Sequence, residues 1–343
     1  MRLRHPLALI ATSAALLGLW GVPQSSAATA ATAATAARPA PAPANGPLLS
    51  CTGSTYGHLT EAVTLTDPTT GKQTALTPPG QGCYPSASPD GGLIAYFTPG
   101  TLVSDGNRTG VTLRIMDRHG THNRLVHALP GAVQFLGAAG FTPDGRHLVF
   151  GTYSVNDQGV ASSTKLWIIG TDGRGLAPFK LGIPGTALGL PTYSPDGSTI
   201  AAIVDGTVRL RKGRTVTELK VHYDQPVTPD PSSSLRWSPD GKDLLYVAGG
   251  APYLASLDGQ HSQQLAAPVK GTDGLTRFGG PVYSPDGKQI AMIETDDPAG
   301  ANGGYYSFLG AMDPNVPGMV RELPPGLLID GDWTNLVWLP AAK

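Results

Sequence analysis

Four carboxylates in the C-terminal part of the chain stand in pairs that could carry out acid–base chemistry. Asp296 and Asp297 are adjacent, and Asp330 and Asp332 are separated by one residue. Enzymes that cleave glycosidic bonds use two carboxyl groups that flank the scissile bond at a defined separation. The sequence does not fix that separation, so a secreted carbohydrate-active enzyme, either a lyase or a glycosidase, stays open as an alternative function.

Candidate metal ligands are few. Asp105, Asn107 and Asp157 could supply oxygen ligands to calcium, but no segment has the spacing of an EF-hand loop. His119 and His122 lie near a predicted tight turn, and two ligands rarely make a metal site. We therefore predict no metal centre and no cofactor, with calcium as the one ion that the oxygen ligands would suit.

The motifs of common enzyme classes do not occur in the sequence. We find no Gly-x-Ser-x-Gly nucleophile elbow, no His-Glu-x-x-His zinc motif and no phosphate-binding loop. The formal net charge is −1 and only 14% of residues are charged, so the basic footprint of a nucleic-acid-binding protein is missing. These features favour a binding protein over an enzyme.

A repeated turn motif indicates the strands that would position any functional site. Each copy reads Ser/Thr-Pro-Asp-Gly and is followed by a short apolar strand, and an aromatic residue precedes four of the five copies. The copies begin at Ser88, Thr142, Ser194, Ser238 and Ser284. A degenerate sixth copy without Asp-Gly spans 337–340. The prolines recur every 44–55 residues, which is the length of a four-stranded propeller blade.

The chemistry of the turn explains its composition. Proline presets φ for the second turn position, aspartate accepts a local backbone hydrogen bond, and glycine adopts the left-handed conformation. We therefore predict that the aspartates are turn residues and not a ring of metal-binding carboxylates. The aromatic residue before the turn should fill the wedge between neighbouring blades.

The repeat resembles that of the TolB-like (WD-repeat-like) β-propellers, over about residues 47–343. That family includes periplasmic translocation proteins, protein-binding propellers and propellers fused to peptidase domains. The resemblance implies an all-β fold with four antiparallel strands in each blade. Only three residues follow Pro340, so we expect no peptidase domain.

The two ends of the repeat region predict how the ring closes. Segment 48–76 contains strands without an inner strand before them, and segment 336–339 is an inner strand without outer strands after it. We predict that these segments pair in one shared blade, which removes an open sheet edge. The fold class is therefore a six-bladed β-propeller closed by pairing of N- and C-terminal strands.

The propeller separates tight turns from longer loops. The Pro-Asp-Gly turns and the later Asp-Gly turns should fall on one face, and individual, longer loops on the other, where function tends to lie. Gln134 is expected there, and the longest loop is 221–234. Aromatic and arginine side chains commonly anchor protein interfaces. The predicted binding residues are His222, Tyr223, Asp224, Arg277, Phe278, Asp330, Asp332 and Trp333.

The N-terminus predicts export. Arg2 and Arg4 precede an apolar run, 7–22, and small residues follow it, so residues 1–27 are typical of a signal peptide. An uncleaved membrane anchor is the alternative. Residues 28–46 form an Ala/Thr/Pro-rich tract without large apolar side chains, which predicts a disordered spacer.

Cysteine usage agrees with an exported protein. The chain has two cysteines, Cys51 and Cys83, and in an oxidising compartment they are expected to form a disulfide. Two buried thiols are the alternative.

Together these features predict a monomeric propeller in secreted or envelope space. It would be a non-catalytic scaffold that binds a protein or peptide partner on the face with the longer loops, and the resemblance adds a role in envelope transport. A sugar-binding propeller is a further alternative. We expect no nucleic-acid partner and no stable membrane insertion after signal cleavage.

Overall fold

The computed structural model describes most of residues 44–342. The residues it leaves out within that range are 53–60, 105, 159–161, 163, 187–188, 222–228, 230–234, 260, 268–269, 272–273, 299–305 and 324–334. The predicted signal peptide, 1–27, and most of the predicted spacer, 28–46, lie outside the described residues. Over the described part, no helix has the length and apolar character needed to cross a membrane.

The described chain forms a six-bladed β-propeller of antiparallel sheets, as the repeat predicts. Blade 1 takes its outer strands from the start of the described chain: β1 (Asn45–Thr52), β2 (Ala62–Thr66) and β3 (Gln73–Ala75). Blade 2 follows with β4 (Cys83–Ala87), β5 (Leu93–Thr98), the inserted hairpin β6 (Thr101–Ser104) and β7 (Asn107–Thr109), then β8 (Thr112–Asp117) and β9 (Arg124–Ala128).

The next two blades repeat this order. Blade 3 contains β10 (Gln134–Phe135), β11 (Gly140–Phe141), β12 (His147–Tyr153), β13 (Lys165–Gly170) and β14 (Ala177–Pro178). Blade 4 contains β15 (Thr192–Tyr193), β16 (Thr199–Val204), β17 (Thr207–Lys212) and β18 (Thr215–Glu218).

The last two blades lead back to the first. Blade 5 contains β19 (Arg236–Trp237), β20 (Asp243–Ala248), β21 (Ala251–Ser256) and β22 (Ser262–Gln264). Blade 6 contains β23 (Lys270–Gly271), β24 (Gly274–Tyr283), β25 (Ile290–Pro298), β26 (Tyr306–Met312) and β27 (Arg321–Glu322). The final strand, β28 (Val337–Pro340), is the inner strand of blade 1.

The predicted ring closure is confirmed by the pairing of β28 with β1. Leu48 stands opposite Trp338 in this antiparallel ladder, and the Trp338 indole N–H donates to the Gly46 carbonyl at 2.9 Å. Strand β1 begins at Asn45, two residues inside the predicted spacer, because Asn45 and Gly46 also face β28.

The core is divided into six clusters, one between each pair of neighbouring blades. Trp237 packs against the cluster between blades 4 and 5, which includes Ile203 and Leu244. Trp338 lies in the cluster between blades 6 and 1, together with Leu48 and Val282. In the four copies that have an aromatic residue before the turn, that residue therefore packs between blades, and the degenerate sixth copy supplies Trp338 for the same purpose.

The repeated turns have one hydrogen-bond pattern. In all five copies the Ser or Thr hydroxyl donates to the Asp carboxylate two residues later, at 2.5–2.7 Å. At the fourth blade, this bond from Ser194 and the backbone N–H of Ser198 lower the pKa of Asp196 to about 2. Local hydrogen bonds thus account for the aspartates, as the turn chemistry predicts.

The turn glycine of each of blades 2 to 6 also faces the turn proline of the preceding blade. A Cβ placed on Gly91 would lie 2.7 Å from Pro340, and one on Gly197 would lie 3.2 Å from Pro143. The same neighbours recur at longer distance for Gly145 with Pro89, Gly241 with Pro195, and Gly287 with Pro239. The turns therefore join the blades as well as reversing the chain.

The predicted disulfide is confirmed between Cys51 and Cys83, whose Cα atoms are 5.1 Å apart. Cys51 lies in β1 of blade 1 and Cys83 in β4, the inner strand of blade 2. The disulfide therefore links two blades directly beside the closure of the ring.

Candidate functional site

The two faces of the propeller differ as predicted, with one correction. We call the face that carries the first-to-second and third-to-fourth strand turns the tight-turn face, and the opposite one the long-loop face. Both turns of a blade meet on the tight-turn face, where the Leu257 N–H donates to the Lys242 carbonyl at 3.0 Å. On the long-loop face, blades 4 and 5 have two-residue turns between their second and third strands, at 205–206 and 249–250.

Most of the predicted binding residues lie outside the described residues. This holds for His222, Tyr223, Asp224, Asp330, Asp332 and Trp333. Arg277 and Phe278 were expected in a loop, but they lie within strand β24 and pair with Thr295 and Glu294. Phe278 is only 3% exposed and packs between blades 5 and 6, so it belongs to the core and not to a binding surface.

Of the four carboxylates considered for glycoside chemistry, two lie within the described residues and two lie outside them. Asp296 and Asp297 lie in β25, opposite Thr276 and Leu275 of β24. Their expected counterparts, Asp330 and Asp332, lie outside the described residues. That Asp296 and Asp297 act together with Asp330 and Asp332 therefore stays a prediction.

The β6–β7 hairpin is the part of the long-loop face with the clearest described geometry. Its tip is fixed to blade 3 by Asn107, whose side-chain amide donates to the Val155 carbonyl at 2.5 Å and accepts from the Val155 N–H at 3.0 Å. Arg108 and Val133 exchange two backbone hydrogen bonds of 2.9 and 3.0 Å. The hairpin is thus held by the neighbouring blade and not only by its own.

This anchored hairpin exposes two adjacent apolar side chains. Leu102 is 56% exposed and Val103 is 51% exposed, and the hairpin forms a separate two-stranded sheet. Sequence reasoning missed these residues. The available signal was the long connection between the second and third strands of blade 2, with Asp105-Gly106 as a hairpin turn.

A polar contact lies beside the turn of the hairpin. The Tyr153 hydroxyl donates to the Gln134 side-chain oxygen at 2.7 Å, and burial raises the pKa of Tyr153. Gln134 also lies against Gly106 of the hairpin, where an added Cβ would meet its amide nitrogen at 2.6 Å. The expected position of Gln134 near the long-loop face agrees with this placement.

The candidate metal ligands have structural partners. Asn107 is 4% exposed, and its amide oxygen already accepts the Val155 N–H. Among the described residues, the one group of three metal-ligating types within reach is Cys51, Glu61 and Cys83, and both sulfurs are joined in the disulfide. Asp105 lies outside the described residues, so the calcium hypothesis stays a prediction for Asp105 and Asp157.

The two histidines lie in a turn on the tight-turn face of blade 2. His122 places its Nδ1 2.8 Å from an Asp117 carboxylate oxygen, and the His119 backbone N–H donates to the other oxygen at 2.9 Å. Hydrogen bonds from Thr121 and then His122 hold the pKa of Asp117 well below its usual range. The two histidines thus contact Asp117 within the turn near which the sequence places them.

The inner strands of the blades surround a central channel. Two cavities of about 340 and 400 Å³ occupy it and share the lining residues Pro89, Arg236, Trp237 and Val282. The first is lined by inner-strand residues of all six blades. The second is lined by the turn prolines of blades 1, 2, 5 and 6, so it forms the mouth on the tight-turn face.

Comparison with known proteins identifies solved structures with a similar fold. No model of a protein family matches the chain, and no curated protein sequence matches it. Among solved structures, TolB from Acinetobacter baumannii matches with a TM-score of 0.59 and 15% identity, over 86% of this chain and 67% of that one. The putative TolB from Agrobacterium tumefaciens matches with a TM-score of 0.51 and 16% identity, over 79% and 95%.

A third similar structure is a putative 6-phosphogluconolactonase from Bacteroides fragilis. Its TM-score is 0.46 at 13% identity, over 85% of this chain and 97% of that one. These likenesses concern the fold. The chain shares the six-bladed propeller fold of the TolB structures, which is the fold that the repeat resemblance implies.

Proposed function

We propose that the chain is an exported, non-catalytic propeller scaffold that binds a protein or peptide partner on its long-loop face. The observation that carries this proposal is the anchored β6–β7 hairpin with Leu102 and Val103 exposed. Exposed apolar side chains offer a partner surface whose burial favours binding. A hairpin that is already fixed loses little conformational freedom when a partner binds.

The location of the protein is part of the same proposal. The Cys51–Cys83 disulfide is of the kind that persists in oxidising compartments, and the N-terminal 27 residues have the pattern of a signal peptide. A location in secreted or envelope space agrees with both the disulfide and the signal-peptide pattern. The loop residues His222, Tyr223, Asp224 and Trp333 would extend the binding surface beyond the hairpin, and envelope transport is the role we attach to it.

The test compares capture of a partner by three proteins. The first is the wild type, and the second is the double variant Leu102→Ser/Val103→Ser. The third is Leu125→Ser, a matched control because Leu125 is 50% exposed but lies on the outermost strand of blade 2. Each immobilised protein is incubated with the envelope and secreted fractions of the source organism, and the affinity of any retained protein is then measured.

We expect a defined partner that the wild type and Leu125→Ser bind equally, and that the double variant binds at least tenfold more weakly. Burial of one large apolar side chain contributes about 1.5–3 kcal/mol, and about 1.4 kcal/mol corresponds to tenfold in affinity. Equal binding by all three proteins would show that the hairpin does not contribute to partner binding. Turnover of a glycan by the wild type, without any retained partner, would favour the carbohydrate-active alternative.

A further inference from the structure

The central channel contains an arginine without a counterion. Arg236 lies in the inner strand β19 of blade 5 and lines both channel cavities. Within the described part of the chain, its guanidinium makes no hydrogen bond and no ion pair. Burial alone accounts for its pKa, which is lowered to about 10, so the side chain is charged at neutral pH.

Two residues that line the channel each contain a buried polar atom without a partner in the described residues. The Trp237 indole N–H and the Ser86 hydroxyl are buried and form no hydrogen bond, and both residues line the cavity of about 340 Å³. Buried polar groups are almost always satisfied in folded proteins, and the exceptions require an explanation. These two occur in the same cavity as the unpaired guanidinium.

The remaining surroundings do not neutralise Arg236. It is the one charged residue among the described residues that line the cavity of about 340 Å³, where the other walls include Ala139, Leu190 and Val282. Asp90 lines the mouth on the tight-turn face, and its carboxylate accepts hydrogen bonds from Ser88 and Gly92 at 2.5 and 3.0 Å. Arg236 is partly buried on the channel wall, and its guanidinium has no protein partner among the described residues, so its hydrogen-bond donors are available to a ligand.

We propose that the central channel is a binding site for a monocarboxylate with a compact apolar body, and that Arg236 receives the carboxylate. The planar guanidinium binds a carboxylate through two parallel hydrogen bonds. A single cation matches a single negative charge, whereas a dianion would leave an unbalanced charge in an apolar cavity. The apolar walls fit the organic part of the ligand.

This proposal goes beyond the proposed function and is independent of it. The β6–β7 hairpin lies on the long-loop face, whereas the described channel mouth lies on the tight-turn face and is framed by the turn prolines. The carboxylate has two sources, either a free small molecule or the C-terminus of a peptide. The experiment separates these two sources.

The test is calorimetric titration of the full exported protein with phenylacetate and with its neutral isostere phenylacetamide. The same ligands are titrated into Arg236→Gln and into Arg124→Gln, a control that removes one positive charge from the outermost strand of blade 2. A third arm uses Ala-Ala-Phe with a free C-terminus and the same peptide with an amidated C-terminus.

We expect a carboxylate form to bind at least tenfold more tightly than its amide, and Arg236→Gln to abolish this preference while Arg124→Gln retains it. Binding of phenylacetate identifies a small molecule as sufficient, and binding of the free-carboxylate peptide alone identifies a peptide terminus. If neither carboxylate binds better than its amide, or if Arg236→Gln retains the preference, the proposal is wrong.

A stability measurement covers the case in which the variant folds poorly. Without ligand, Arg236→Gln should melt at the same temperature as the wild type or a few degrees higher, because it removes an unpaired charge from the channel. Phenylacetate or the free-carboxylate peptide should raise the melting temperature of the wild type, and the amides should not. A large fall in the melting temperature of Arg236→Gln would show that Arg236 stabilises the fold and would overturn the proposal.

Discussion

The turn glycine Gly91 combines two requirements that no other residue type meets. Gly91 has φ of +69°, and a Cβ at this position would also lie 2.7 Å from Pro340 of the neighbouring blade. Positive φ costs a non-glycine residue roughly 1–2 kcal/mol, and the close contact adds a further cost. At this position glycine is therefore required both by the turn and by the blade interface.

A substitution pair separates these two costs. Gly110 has φ of +72° with nothing within 4 Å of an added Cβ, so Gly110→Ala should cost roughly 1–2 kcal/mol of unfolding free energy from backbone strain alone. Gly91→Ala should cost about 1–3 kcal/mol more, since overpacking adds to the strain. Urea unfolding of both variants measures the difference. Equal losses would mean that the proline contact does not contribute to stability.

Single residues show where prediction from sequence succeeds and where it stops. The Ser, Asp and Gly of the turns were predictable because their roles are local and recur in five copies. The burial of Phe278 was not, because it depends on the long strand β24 and its pairing with β25. The exposure of Leu102 and Val103 was also not predictable, because it depends on how the hairpin packs in the folded chain. Apolar residues are otherwise expected in the core.

At the scale of elements, the disulfide joins strands of different blades. It links β1 in the blade that closes the ring to β4, the inner strand of the next blade, across 32 positions of sequence. A cross-link over a loop of this length stabilises by about 3–4 kcal/mol in the chain-entropy model. It therefore reinforces the ring at the place where the chain ends meet.

Removal of the disulfide should lower stability without changing the fold. We expect Cys51→Ala/Cys83→Ala to lose about 3–4 kcal/mol of unfolding free energy, measured by urea denaturation. A reductant should destabilise the wild type by a similar amount and leave the double variant unchanged. Insensitivity of the wild type to a reductant strong enough to open the disulfide would contradict this role.

The strands were more predictable than the connections between them. The period of the prolines and the apolar segments after each turn located the inner and second strands of each blade. The prediction of longer loops on the long-loop face did not distinguish the two-residue turns at 205–206 and 249–250, although Asp-Gly and Gly-Gly are hairpin signals. The inserted β6–β7 hairpin was missed because only its packing against blade 3 gives it a defined position.

At the scale of the whole molecule, closure of the ring positions every site described above. Blade 1 is assembled from β28 and β1 to β3, and its Trp338 fills the interface with blade 6. The long-loop face and the central channel exist as continuous surfaces only if the sixth interface is made. Closure was predictable because the two incomplete ends of the repeat complement each other, whereas the channel lining required the register of all six blades.

The most direct test of this closure is the thermal stability of a protein that lacks its last ten residues, 334–343. The truncation removes Leu336, Trp338 and Leu339, which are 0%, 6% and 0% exposed, and each contributes about 1.5–3 kcal/mol by burial. The control lacks only Ala342 and Lys343, which follow β28. We predict that the melting temperature falls by more than about 10 °C for the longer truncation and stays unchanged for the control. An unchanged melting temperature for the longer truncation would contradict the closed ring.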